Sequence, residues 1–229
     1  MLDIINNNRI YLPTYKQLND PLEGAGFNIN ISGWAGMSIL LAGEMELEPI
    51  ERNKMKFRVL SLSEEYNSPQ LWAHYANNYQ GICLCFSTEN TFKGIRKVEY
   101  GMDKSAIKAD SEEEIEKAVC TGFCYKQEGW SYEKEWRLIK RIEDDNEDNK
   151  YLSFSREELK GIILGEKMDM QLQTLIRKEI PKEIQVMRAR PGYTTHRIII
   201  LPWDYTEEFN GEPHPVIEDM EKHLLNGTD

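Results

Sequence analysis

The hydrophobic pattern of the chain keeps changing period without settling into a regular strand, helix, strand rhythm, and this limits the fold more tightly than any other feature. Lys56 to Ser63 alternates, with Phe57, Val59 and Ser61 on one side of a strand and Arg58, Leu60 and Leu62 on the other. Ile82-Cys83-Leu84-Cys85-Phe86 is apolar on both faces, as a central strand would be. Further β-rich runs are Arg9 to Leu12, 94–100, Glu135 to Ile139, Tyr151 to Phe154 and Lys160 to Leu164. Ile184 to Arg190 and His196 to Leu201 read as a closing hairpin turned by Pro191-Gly192. Helical spacing replaces this pattern from Ser111 to about Tyr125, where Ile115, Val119 and Phe123 recur every fourth residue, and again over 168–180, stopped by Pro181. Ser68-Pro69 is a cap followed by a first-turn proline, opening a helix over Gln70 to Asn77. The expectation is an α+β fold: a mixed, mostly antiparallel sheet flanked by three or four helices. The glycine-rich stretch 24–45 resists assignment beyond a helical turn or two over Met37 to Ala42.

A chain of 229 residues fits one domain over 1–229, with a helix and hairpin over 166–203 and an acidic appendage over 204–229. No apolar run approaches the roughly 18 residues of a membrane-spanning helix, and the N-terminus lacks the basic start and apolar stretch of a secretory signal. The expected location is cytoplasmic. The net charge of −11 argues against a general nucleic-acid coating role, because that binding needs cations to displace counterions from phosphates. Local patches around Arg137, Lys140 and Arg141, or Arg188 and Arg190, leave a nucleic-acid enzyme open. The four cysteines, Cys83, Cys85, Cys120 and Cys124, read as buried thiols, since a one-residue spacer does not suit a zinc loop.

Three runs carry candidate chemistry. Asn19-Asp20-Pro21-Leu22-Glu23-Gly24 is turn chemistry that also presents Asp20 and Glu23 as carboxylates for a metal or a ribose hydroxyl. Trp72-Ala73-His74-Tyr75 places Trp72 and Tyr75 on one helix face and His74 elsewhere; the imidazole suits a general base, and the aromatic pair suits a core equally well. In Trp130 to Arg137, Glu133, Glu135 and Arg137 project to one side of an extended strand, where solvent, a ligand or one another must satisfy them.

Taken in order, Leu18 to Glu23, Leu60 to Ser63, Leu71 to Ala76, Gly81 to Phe86 and Tyr132 to Leu138 resemble a bacterial family, domain of unknown function 2971, across most of residues 9–165. The resemblance implies an accessory bacterial protein, with some relatives linked to abortive-infection phage resistance, and no settled activity. It also implies a strand and helix ahead of the Asn-Asp-Pro turn, so that this chain reads as a shortened version.

A looser similarity is to ADP-ribosyltransferases, whose sites use an arginine or histidine, a serine motif and a Glu-x-Glu on successive strands. Here these are Arg9, Ser61-Leu62-Ser63 and Glu133-Lys134-Glu135. The similarity implies NAD as cofactor. Glu135 would stabilise positive charge on the sugar and Glu133 would orient or deprotonate the acceptor. Trp72 or Tyr75 would stack on nicotinamide. Asn19, Tyr132 and Arg137 complete the expected ligand-binding set. On this reading Glu135→Ala abolishes activity and leaves the thermal midpoint nearly unchanged. The competing readings are a metal-dependent nuclease or phosphodiesterase using Asp20, Glu23, His74 and the glutamate pair, and a non-catalytic ligand-sensing or partner-binding domain.

Overall fold

The computed structural model describes residues 2–20, 29–31, 47–101, 107–109, 111–144, 146–192 and 197–203. In chain order the helices are α1 (Leu2–Asn7), α2 (Leu47–Met55), α3 (Pro69–Tyr75), α4 (Glu112–Gly122) and α5 (Met170–Glu179). The strands are β1 (Arg9–Tyr11), β2 (Ile29–Ile31), β3 (Phe57–Ser63), β4 (Ile82–Phe86), β5 (Arg96–Lys97), β6 (Glu99–Tyr100), β7 (Ile107–Ala109), β8 (Tyr125–Lys126), β9 (Glu135–Arg141), β10 (Tyr151–Ser153), β11 (Leu159–Leu164), β12 (Gln185–Gly192) and β13 (Arg197–Pro202). The fold is α+β, and its sheets are mostly antiparallel. No helix among the described residues is long and apolar enough to cross a membrane.

The chain divides into two compact units, each assembled from separate stretches of sequence. The first comprises Met1–Asn8, Glu65–Lys93 and Ser153–Asp229, and the second comprises Arg9–Glu64 and Gly94–Leu152.

The first unit is built on a four-stranded sheet of order β13-β12-β11-β4. β11 and β12 run parallel because α5 carries the chain back between them, and the outer pairings are antiparallel. On one face, Ile163, Met187, Ala189, Ile198, Ile200 and Cys85 pack against Trp72 and Ala76 of the α3 segment. Ser68 caps α3 by accepting from the Leu71 N–H, with Pro69 in the first turn, as the sequence indicates. β4 lies at the end of the sheet order, which corrects its expected central place. A continuous apolar run answers to cover on two faces, and that does not require a partner at each edge. Pro191 and Gly192 also differ from expectation: both lie within β12, opposite Ile198 and Arg197, and 193–196 lie outside the described residues.

Between α3 and β4 the backbone turns through three consecutive left-handed residues, Asn77, Asn78 and Tyr79. Asparagine tolerates that conformation better than most side chains; tyrosine does so only where its surroundings hold it. Here the Tyr79 N–H donates to Trp72 O, its hydroxyl donates to Pro69 O, and its carbonyl accepts from the Lys167 N–H. Gly165 closes over this turn, where an added Cβ would collide with Tyr79 O, so no larger residue fits.

The second unit contains the antiparallel sheet β3-β9-β5 with two small parallel pairs, β2 with β7 and β6 with β8. Directly opposed residues of an antiparallel pair share a face. Phe57, Val59, Ser61 and Ser63 therefore face the same way as Arg141, Ile139, Arg137 and Glu135. One end of that face is the core, where Phe57, Val59 and Ile139 pack with Tyr15, Ile115, Val119 and Phe123. α4 reaches this core because its apolar residues recur every fourth position; Ser111 caps it and three glutamates occupy its first turn, where the helix dipole favours them. The other end of the same face is polar.

The cysteines are free thiols: Cys85 and Cys124 are buried, Cys83 and Cys120 half-buried. The expected helical turn over Met37 to Ala42 lies outside the described residues, as do Glu23 and the segment 204–229.

Candidate functional site

The polar end of the β3-β9-β5 face is organised around four buried charges. Lys126 on β8, Glu133, Glu135 and Arg137 are each at most 4% exposed. The Arg137 guanidinium forks onto the Glu135 carboxylate, Nε to Oε1 at 2.7 Å and Nη2 to Oε2 at 2.9 Å. Its Nη1 donates to Phe123 O at 2.6 Å, which places a cation at the negative end of α4. Lys126 Nζ bridges the two acids, 2.6 Å from Glu133 Oε2 and 3.2 Å from Glu135 Oε2, and lies 4.8 Å from the centroid of the Trp130 ring. Two anions and two cations balance, and this is what allows four charges out of water together.

Backbone geometry sets the cluster up. Residues Glu128–Glu133 form a 3-10 turn that ends on Lys134 in the left-handed region (φ 41°, ψ 54°), and β9 starts only at Glu135. Glu133 is thus not on the strand, correcting the expectation that Glu133, Glu135 and Arg137 alternate along one; it joins the cluster from the turn. The Glu135 N–H donates to the Tyr100 hydroxyl at 2.8 Å, and burial pushes the Tyr100 phenol up to about 12. The Glu135 carboxyl is subject to opposing effects. Burial raises its pKa, but hydrogen bonding and charge from Arg137, the charge of Lys126 and a hydrogen bond from Ser61 outweigh it, and the net shift is downward. Glu135 is ionised at neutral pH.

Ser61 and Ser63 sit at the exposed rim of this cluster, in register with Arg137 and Glu135 respectively. The Ser61 hydroxyl bonds the Glu135 carboxylate, and Ser63 Oγ donates to Glu133 O at 2.6 Å. Tyr132 is half-buried and its ring lies 6.2 Å from that of Trp130. The structure therefore brings together Ser61, Ser63, Tyr132, Glu133, Glu135 and Arg137 of the expected set.

The other expected residues lie elsewhere. Arg9 stacks on the Tyr151 ring at 4.1 Å. Asn19 is exposed and Asp20 buried, in the segment after the turn that presents Tyr15 to the core. Trp72, His74 and Tyr75 belong to the first unit, and α3 separates them differently from the expected pairing. Trp72 is 3% exposed, with its indole N–H bonded to Tyr66 O, so it is a core residue. Tyr75 is 50% exposed and pairs edge-on with the exposed His74 ring. Among the described residues no group of three or more His, Cys, Asp or Glu is placed to hold a metal ion.

Lys126 and Tyr100 were not legible as site residues. Both come from two-residue strands paired in parallel, a non-local contact with no sequence signature.

Residues 71–138 match the model of a family described as a protein of unknown function (DUF2971). The matched segment runs from Leu71 in α3 to Leu138 in β9, narrower than the resemblance read over 9–165, and it carries Lys126, Glu133, Glu135 and Arg137 but neither serine of β3. No curated protein and no solved structure matches the chain.

Proposed function

We propose that the polar end of the β3-β9-β5 sheet recognises a small nucleotide-type ligand, with NAD as the example the resemblance supplies, and holds it without turnover. One observation carries this reading: exposed hydroxyl groups at Ser61 and Ser63 are fixed above a buried, charge-balanced quartet. The Ser61 proton is directed at Glu135, so toward a ligand its oxygen acts as an acceptor, the partner a ribose hydroxyl needs. The Trp130 and Tyr132 rings supply apolar area for a base or nicotinamide.

The electrostatics favour recognition over catalysis. A carboxylate stabilises a developing sugar cation through its uncompensated charge. Both oxygens of Glu135 are already bonded by cations within 3.2 Å, and the side chain is almost wholly buried. Its field on an incoming cation is largely cancelled.

The second reading, ADP-ribosyl transfer with Glu135 as the catalytic carboxylate, is favoured by the Ser61 contact to Glu135 across the β3-β9 register. That contact unites the serine and Glu-x-Glu motifs of the looser similarity. The phage-defence setting rests on family resemblance alone.

Calorimetric titration with NAD and with ADP-ribose separates the two. Recognition predicts saturable binding that weakens at least tenfold in the Ser61→Ala/Ser63→Ala double variant, with no nicotinamide released. Nicotinamide release that disappears in Glu135→Gln would install the transferase reading instead, and absence of binding to either ligand would remove both.

A further inference from the structure

We propose that Arg96 on β5 holds the phosphates of the ligand at the polar end of the β3-β9-β5 sheet, so that the site takes a nucleotide and discriminates against the bare nucleoside; this rests on the recognition reading above. Arg96 lies opposite Arg137 in the β5-β9 pairing, and Arg137 lies opposite Ser61 in the β3-β9 pairing. Directly opposed residues share a face, so Ser61, Arg137 and Arg96 form one row across the three strands. Cys124, just past the end of α4, marks independently where the Arg96 side chain goes. Its thiol accepts a hydrogen bond from Arg96 and feels the charges of Arg137 and Glu135. Arg96 therefore borders the buried quartet.

Like charges directly opposed in a sheet repel, so Arg96 beside Arg137 needs an anion. Of the three arginines on this face, Arg137 pairs with Glu135, and Arg141 pairs with Glu116 and Glu143. Arg96 is exposed and has no carboxylate partner among the described residues. Its neighbour Lys97, on the opposite face, pairs with Glu64. The quartet cannot serve Arg96, because its two acids are already matched by Lys126 and Arg137. Nor can the nearby cysteines. Burial raises the pKa of Cys124 and pushes Cys120 up to about 11, so both are uncharged thiols at neutral pH. The missing anion comes from outside, and a planar guanidinium fork matches phosphate oxygens.

Spacing and sign narrow the choice. Neighbouring strands lie roughly 4.8 Å apart, which puts the Ser61 and Arg96 backbones roughly 10 Å from each other. A ribose at Ser61 with its 5′-pyrophosphate within reach of Arg96 fills that span. The net charge of −11 turns polyanionic nucleic acid away, whereas a small phosphorylated ligand meets mainly the local field.

In calorimetric titration, ADP-ribose is expected to bind Arg96→Gln at least tenfold more weakly than the unsubstituted chain, the scale of a charge-assisted hydrogen bond. Lys97→Gln, on the same strand but the opposite face, should leave the affinity unchanged. ADP should displace ADP-ribose from the unsubstituted chain at least tenfold better than adenosine does. ADP-ribose affinity that is equal in Arg96→Gln, or adenosine competing as well as ADP, would overturn the phosphate assignment while the recognition reading stands. No binding of ADP-ribose to the unsubstituted chain would overturn both. Phenylglyoxal labelling mapped by mass spectrometry needs no variant: saturating inorganic pyrophosphate is expected to slow modification of Arg96 severalfold and to spare the exposed Arg197. Equal rates at Arg96 with and without pyrophosphate would count against the assignment.

Discussion

The sheet face that packs on Trp72 in the first unit and the β3-β9-β5 face that packs on α4 in the second are filled differently. In the first, Ile163, Met187, Ala189, Ile198 and Ile200 give a uniformly apolar surface against Trp72. In the second, the same face passes from Phe57, Val59 and Ile139 to Arg137 and Glu135 within two strand positions. An apolar face is tolerant, because each side chain contributes its own burial. A buried ionic face is not, because each charge is stable there only while the other three are present. The contrast shows where the second unit accepts a constraint that hydrophobic packing alone does not require.

The largest effect is expected from breaking that closure. Glu135→Ala leaves Arg137 and Lys126 buried with one remaining carboxylate, and should destabilise the fold by about 3–5 kcal/mol, seen in denaturant titration. The sequence alone suggested an active-site residue whose removal spares stability; burial at 4% reverses that expectation. Replacing the quartet together, as Lys126→Met/Glu133→Leu/Glu135→Leu/Arg137→Met, should restore most of the loss. If the quadruple variant is folded and stable but no longer binds NAD or ADP-ribose, the charges serve the ligand more than the fold.

In the first unit the matching test is Trp72→Ala, with an expected cost of about 3–5 kcal/mol as a core truncation. Tyr75→Ala, three residues later on the same helix, should change stability by no more than about 0.5 kcal/mol. A large effect at Tyr75 would place that ring in a packed role that its half-exposure does not suggest.

The buried ionic face should also be sensitive to acid. A carboxyl whose pKa is lower folded than unfolded contributes its full stability above the unfolded value and loses it as pH falls through the folded one. Glu135 is lowered from 4.5, so its contribution should be intact at neutral pH and disappear progressively below about pH 4.5. Denaturation midpoints followed downward from about pH 6 should show this limb, and Glu135→Gln should flatten it. An unchanged limb would assign the acid sensitivity to other carboxylates, Glu51 and Glu158 being also lowered.

Most of the secondary structure was legible because it follows from local rules. The Ser68 cap, the period of four in α4 and the alternation of β3 each need only neighbours in sequence. The short helix α1 ahead of β1 was missed, and so was α2, whose polar composition gives a weak apolar stripe. The site was half legible. Glu133, Glu135 and Arg137 announced themselves as charges at strand spacing, but whether they faced water or one another depended on Lys126, brought in by a two-residue parallel pairing. Trp72 and Tyr75 were grouped by spacing alone, and three positions apart on a short helix is enough for one to enter the core while the other leaves it.

The smallest effect tests the turn that admits Glu133 to the quartet. Lys134 is exposed and left-handed, a conformation that disfavours a side chain with a Cβ by roughly 1–2 kcal/mol. Glycine removes that penalty and adds an unfolded-state entropy cost of roughly 0.5–1 kcal/mol. Lys134→Gly should therefore stabilise the second unit by up to about 1 kcal/mol, with Glu133 still paired to Lys126. Lys134→Asn should fall between glycine and the unsubstituted protein, because asparagine tolerates the left-handed region better than lysine does. If glycine destabilises instead, the Lys134 side chain contributes more to the turn than its backbone costs, and the 3-10 segment owes its position to that side chain as well as to the buried ion pairs.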